Sequence, residues 1–193
     1  MATPETLIVI GTSRGGLEAL RTIARGLPAD FPAALVAVLH TSLASPMELA
    51  HILGRDMPLR VTYAEQGDRI ERGRFYIAPP GLHTTITSRG YLGLHGGPRE
   101  HFTRPAADPL FRSAAAVYGA QAIGIILTGE LSDGAEGLKA IHAAGGVGIV
   151  QEPDEAVAPS MPRTAIAKGH PDHRVRLNEI APLLVRLVVS IRW

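Results

Sequence analysis

The chain contains no cysteine, which excludes disulfides, thiol nucleophiles and zinc–thiolate sites. Charge of one sign is lacking as well. Nineteen Lys and Arg stand against 18 Asp and Glu, and a formal net charge of +1 argues against a general nucleic-acid binder. No apolar run is long enough to cross a bilayer: the most apolar late stretch, residues 183–191, is too short and carries Arg186. The opening Met1-Ala2-Thr3-Pro4-Glu5 lacks the basic-then-apolar order of a signal sequence. Internal repeats, low-complexity tracts and linkers are also missing. What remains is 193 residues, 46% of them hydrophobic, enough for a full core in one domain spanning 1–193. A cytoplasmic location without membrane insertion is the expectation.

Apolar strand-like runs alternate with helical patterns throughout. Strands are expected at 7–10, 34–39, 60–63, 75–78, 123–127 and 148–151. Helices are expected at 17–25, from Ser45-Pro46 to Gly54, at 108–118, 134–144 and 162–168, and from an Asn178 cap toward Ile191. Residues 84–88 and 91–95 flank Arg89-Gly90 and read as a hairpin. The alternation predicts a doubly wound α/β fold: a mostly parallel sheet with helices on both faces and an inserted antiparallel hairpin. In such sheets functional residues gather beyond the carboxyl ends of the strands.

Gly11-Thr12-Ser13-Arg14-Gly15 is the most informative segment, lying between an apolar strand and a helical pattern. Glycine two positions either side of Ser13 permits a sharp turn that presents the serine Oγ at the strand's carboxyl end. The free amides opening the next helix suit a developing oxyanion. The segment also admits plainer readings, a glycine turn that contains a serine or a phosphate-binding loop. Two further residues fit the chemical one. His40 directly follows the strand 34–39, and Asp133 lies just beyond the strand 123–127. A parallel sheet brings all three positions to one edge. Histidine would accept the hydroxyl proton while a carboxylate fixes its tautomer. Taken singly, His40 reads as a loop or cap residue, and Asp133 before Gly134 as a helix N-cap.

Other sites are weaker. A dinucleotide fingerprint would need a G-x-G start and an acidic residue ending the second strand, where His40 stands; a P-loop would need Gly-Lys-Ser/Thr. His95 with His101, or His170 with His173, could pair as metal ligands, but without a matching carboxylate they read as solvated loop histidines. Arg99, Arg104 and Arg163 read as loop residues, either surface charge or a grip on an acidic helix.

The sequence resembles the catalytic domain of the chemotaxis receptor methylesterase (CheB) family. The resemblance rests on residues 10–16, Val38-Leu39-His40, residues 75–81, Arg104-Pro105 with Asp108, Leu110-Phe111, residues 125–129, Asp133-Gly134-Ala135 and Met161-Pro162-Arg163. The chain order Ser, His, Asp and an elbow after the first strand separate it from the α/β-hydrolase superfamily. The resemblance implies Ser13 as nucleophile, His40 as general base and Asp133 as the third triad member. It implies hydrolysis of glutamyl γ-methyl esters on the cytoplasmic helices of methylated chemoreceptors, and deamidation of receptor glutamines. No metal or organic cofactor is implied.

Departures from the family pattern are specific. Arg14 stands where threonine is usual, and Thr41-Ser42 replace Met-Pro after the base. The usual Gly-Met-Gly-x-Asp reads here Gly129-Glu130-Leu131-Ser132-Asp133. The receiver domain usual in the family is not represented in the sequence. Arg14 and Glu130 are expected to face each other across the cleft mouth. They also motivate a rival reading, a catalytically weak regulatory domain that binds a receptor or signalling partner through the same cleft.

Overall fold

Leu7–Thr12 forms a strand, β1, with all six residues buried, and its side chains alternate between two cores. That placement requires layers on both faces of a central sheet. A computed structural model of the chain describes residues 3–42, 47–55 and 57–190. Along them run β1, α1 (Gly16–Arg25), β2 (Ala34–Leu39), α2 (Leu49–Gly54), β3 (Arg60–Tyr63), β4 (Arg74–Ile77), β5 (His83–Ser88) and β6 (Tyr91–His95). They continue through α3 (Ala107–Tyr118), β7 (Ala122–Ile126), α4 (Ala135–Ala143), β8 (Val147–Gln151), α5 (Ser160–Lys168), β9 (His173–Val175) and α6 (Leu177–Ser190).

Seven strands form one sheet in the order β3-β4-β2-β1-β7-β8-β9, and every pairing is parallel. One core packs Leu7, Val9 and Val36 against Leu110 of α3 and Leu138 of α4. The other packs Ile8, Ile10 and Leu35 against Leu20 of α1 and Leu184 of α6. Helix α1 buries Ala19, Leu20, Ile23 and Ala24, an i, i+1, i+4, i+5 stripe that gives it one apolar face. From β1 the chain moves to β2 on one side, and β7 later returns on the other. The sheet order therefore reverses at the carboxyl end of β1, where doubly wound sheets form their crevice.

The doubly wound expectation holds, with differences in detail. The hairpin β5–β6 is antiparallel but forms its own two-stranded sheet instead of joining the large one. It lies against α3, where the Ile86 amide donates to Ser113 Oγ at 2.9 Å. The edge strand β9 was not expected; three residues, His-Arg-Val, are too few to display a period. Asn178 does not cap α6 but lies inside it. Glu179 Oε2 instead accepts the Arg176 amide at 3.1 Å, since a carboxylate in the first turn can reach back to the amide before the helix. Arg163 belongs to α5, which begins at Ser160, so it is not a loop residue. The proposed Ser45-Pro46 helix start lies outside the described residues.

Helices α3 and α4 cross at Gly137, where an added Cβ would stand 2.4 Å from Phe111 Cβ and 3.0 Å from Asp108 Oδ1. Gly137→Ala is expected to destabilise the fold by about 1–3 kcal/mol through overpacking. Urea denaturation checks this: the midpoint should fall while the slope stays unchanged.

Candidate active site

Ser13, His40 and Asp133 all stand at the carboxyl edge of the sheet. Thr12 of β1 pairs in register with Leu39 of β2, so Ser13 and His40 lie one step beyond the last paired residues. Neighbouring parallel strands run about 4.8 Å apart. The His40 amide, donating to the Thr12 carbonyl at 3.1 Å, extends the ladder to this point. Asp133 arrives from the loop after β7, the strand on the other flank of β1.

The His40 ring bonds Asp133 directly, with Nε2 2.7 Å from Oδ2. Asp133 is buried and the His40 side chain nearly so. An ionised carboxylate holding the Nε2 proton leaves Nδ1 as the ring's free basic nitrogen. The Ser13 hydroxyl makes no hydrogen bond among the described residues. Thr103 Oγ1 lies 3.4 Å from His40 Nε2 and donates to the Glu100 carbonyl at 3.0 Å, adding a second wall to the histidine.

Asp133 does not cap the helix that follows it. Gly134, left-handed at φ 91°, is the N-cap of α4 and offers no side chain. Asp133 caps α3 instead, accepting the Ala107 amide at 2.5 Å and the Asp108 amide at 3.0 Å. Ala106, the residue at the cap position of α3, has no side-chain oxygen to do so. Burial pushes the Asp133 carboxyl upward, but hydrogen bonds from the His40 ring and the Ala107 amide, with the field of His40 and the Asp108 amide, outweigh it. The carboxyl is held below its ordinary value.

The turn carrying Ser13 is clamped to the loop after β7. The Thr128 carbonyl accepts the Ser13 amide at 3.0 Å and the Thr12 hydroxyl at 2.8 Å. Thr128 Oγ1 donates to the Arg14 carbonyl at 2.9 Å and accepts the Ala158 amide at 2.9 Å. Gly129 allows the close approach, because an added Cβ would meet Ser13 Cβ at 2.9 Å and Met161 Sδ at 2.1 Å. Among the described residues, the amides of Arg14, Gly15 and Glu130 have no partner, and Gly15 holds φ 80° as the N-cap of α1. Arg14 and Gly15 follow Ser13 at the start of a helix, and Glu130 follows Gly129 in the loop clamped to it; free N–H groups so placed suit an oxyanion.

Arg14 and Glu130 face each other as expected, with Nη1 3.3 Å from Oε1. At 69% and 52% side-chain exposure both stand in solvent. Arg104 donates to the carbonyls of Gly96 at 3.0 Å and Gly97 at 2.7 Å, so it staples its own loop. His101 is not the solvated loop histidine expected from sequence: its Nε2 lies 2.7 Å from buried Asp108. His101, Asp108 and Asp133 bring potential ligand atoms within 4.8 Å of one another. Every carboxylate oxygen there already accepts an N–H group, which leaves the cluster a poor cation cage. Thr103 escaped the sequence reading because it sits in no pattern; Thr128 lay within the matching segment 125–129, but its role as a clamp on the Ser13 turn was not legible there.

A doubly wound α/β sheet with a serine elbow at its switch point and a histidine–carboxylate pair beside it defines an esterase-type protein. The chain belongs to the CheB methylesterase family, whose model matches residues 8–184. It is 41% identical over 93% of its length to a "Putative protein-glutamate methylesterase/protein-glutamine glutaminase" of Leptospira interrogans, and covers 93% of that protein. It is 39% identical to a Bdellovibrio bacteriovorus protein-glutamate methylesterase/protein-glutamine glutaminase, matching 95% of this chain but 52% of that longer one. The crystal structure of the Thermotoga maritima CheB methylesterase catalytic domain superposes with a TM-score of 0.90 at 32% identity, covering 94% of this chain and 98% of that one.

Asp133 ties pH to stability. Because its folded carboxyl is lowered, its contribution is fully present above the unfolded value of about 3.9 and is lost as pH falls through the folded value. Wild-type stability should therefore drop more steeply below about pH 4 than that of Asp133→Asn. Urea midpoints measured across pH 2–7, with the two curves converging on the acid side, are the expected result.

Proposed function

We propose that this chain hydrolyses γ-methyl esters of glutamyl side chains on chemoreceptor cytoplasmic helices, and deamidates glutamine at such positions. The observation that carries the reading is the 2.7 Å bond from His40 to buried Asp133, one register step from Ser13 on the adjacent strand. The names of the Leptospira and Bdellovibrio relatives support the reaction class.

In this reading Ser13 Oγ attacks the ester carbonyl while His40 Nδ1 takes its proton, and Asp133 holds Nε2–H and stabilises the imidazolium. This assigns the two ring nitrogens in the opposite sense to the chymotrypsin-type arrangement, in which Nδ1 faces the carboxylate. The tetrahedral oxyanion is held by the amides of Arg14, Gly15 and Glu130. Collapse expels methanol, protonated by His40, and a water activated by the same nitrogen then releases the glutamate. A glutamine substrate follows the same course with ammonia as the leaving group. Among the described residues no helix is long and apolar enough to cross a membrane.

The deciding measurement is methanol release from methylated receptor. Ser13→Ala should lower the rate on the order of 10⁴-fold or more, and His40→Ala by a similar amount, since members of such a unit fail together. Undiminished release by Ser13→Ala would overturn the reading.

The exposed Arg14–Glu130 pair contributes about 0–1 kcal/mol to stability, so its value lies in recognition. Arg14→Thr is expected to shift preference among receptor sequences flanking the ester, with an effect that shrinks as salt rises. Glu130→Met should keep turnover while making the mouth more apolar. Rates on a panel of methylated peptides at two ionic strengths check both outcomes.

A further inference from the structure

Beside Asp133, a second serine, histidine and aspartate stand in line. Ser132 Oγ lies 3.2 Å from His101 Nδ1, and His101 Nε2 lies 2.7 Å from Asp108 Oδ2. Asp108 is buried, whereas His101 and Ser132 are half-buried and reachable from solvent. The ring is used in the same sense as at His40, with Nε2 toward a buried carboxylate and Nδ1 left for a hydroxyl.

Ser132 also repeats the backbone setting of Ser13. In each turn a glycine two residues on is left-handed and serves as a helix N-cap, Gly15 at φ 80° and Gly134 at φ 91°. In each, the serine carbonyl accepts the amide three residues on, from Gly16 at 2.9 Å and from Ala135 at 3.4 Å. The amides of Asp133 and Gly134 are unpaired among the described residues, like those of Arg14 and Gly15. A nucleophile's hydroxyl, its base and two N–H donors at a helix start are thus all present a second time.

The loop bearing His101 is built to hold it there. His101 and Phe102 are left-handed at φ 50° and 65°, a conformation that a phenylalanine rarely adopts. Paired amides and carbonyls of Glu100 and Thr103 close this turn, and Arg112 bonds both carboxylate oxygens of Glu100 at 2.8 and 2.9 Å. The turn leaves Phe102 85% exposed beside the histidine, and Leu131, 53% exposed, precedes the serine. Exposed apolar side chains thus stand next to both the histidine and the serine along the chain.

We propose that Ser132, His101 and Asp108 form a second acyl-transfer site, which takes small apolar esters of good leaving groups, such as aryl esters. Ser132 Oγ bonds to the acyl carbon as its proton passes to His101 Nδ1. The bond from that carbon to the leaving oxygen breaks, and the departing phenol takes the proton. Water then attacks the acyl-serine, aided by the same nitrogen, releasing the acid and restoring Ser132. Asp108 accepts His101 Nε2–H throughout and fixes the tautomer.

The test uses Ser13→Ala, which removes the other nucleophile, with a fluorophosphonate probe and 4-nitrophenyl acetate as reagents. Peptide mapping of the labelled protein should place the adduct on Ser132, and Ser13→Ala/Ser132→Ala should lose both the label and the phenol burst. His101→Asn tests the base, because asparagine tolerates the left-handed turn. In the Ser13→Ala background it should slow labelling about 100-fold, the scale of a lost general base. Circular dichroism and urea midpoints establish that each variant is folded. Ser13→Ala that gains no label at Ser132, or labels there equally fast without His101, would overturn the proposal and leave a hydrogen-bonded loop. Labelling at Ser132 in a protein whose wild type releases no methanol would sink the methylesterase reading and leave this one standing.

Discussion

The carboxylate of Asp133 is where the fold and the site depend on the same bonds. It is buried, so an unpaired charge there would be very costly. Three donors from two separate parts of the chain satisfy it: the His40 ring after β2, and the amides of Ala107 and Asp108 opening α3. The positive end of α3 favours the anion, and the anion supplies the cap that Ala106 cannot. One group thus fixes the start of a helix, the end of a strand and the orientation of an imidazole. In this dry setting each bond is stronger than it would be in water.

The serine side is organised differently. Ser13 is held by its backbone, through the Thr128 carbonyl and hydroxyl, while its own Oγ stays free of protein partners among the described residues. Glycines at 15 and 129 let two loops meet closer than side chains would permit, with Val157 and Met161 filling the space beyond. Clamping the main chain while freeing the hydroxyl suits a group that must form and break a bond without losing its place. The parallel register of β1 and β2 then brings Ser13 and His40 together without a dedicated contact between them.

Two of the departures from the family pattern, Arg14 and Glu130, form an exposed pair, and Asp133 itself is not among the departures. Leu131 occupies a left-handed position, φ 65°, where the family pattern has glycine, and it stands 53% exposed. A leucine in that region bears a local strain of order 1–3 kcal/mol. Glu130 next to it pairs with Arg14 across the opening.

The sequence by itself determined the architecture and the edge on which Ser13, His40 and Asp133 stand. Buried strands read as continuous apolar runs, helices as apolar stripes, and a parallel sheet has only one carboxyl edge. Boundaries shifted by one to three residues, and β9 stayed hidden because a three-residue edge strand has no period. Tertiary structure alone decided what each polar group bonds. Asp133 precedes a helix and reads as its cap, yet it caps one that begins 26 residues earlier, because the sheet order carries the loop after β7 across to α3. His101 reads as a solvated histidine and is bonded to Asp108, because the turn at 101–102 folds it back onto α3. Local pattern reports which face a residue takes; hydrogen bonds across 26, 93 or 116 positions depend on how the layers pack, and no local period encodes them.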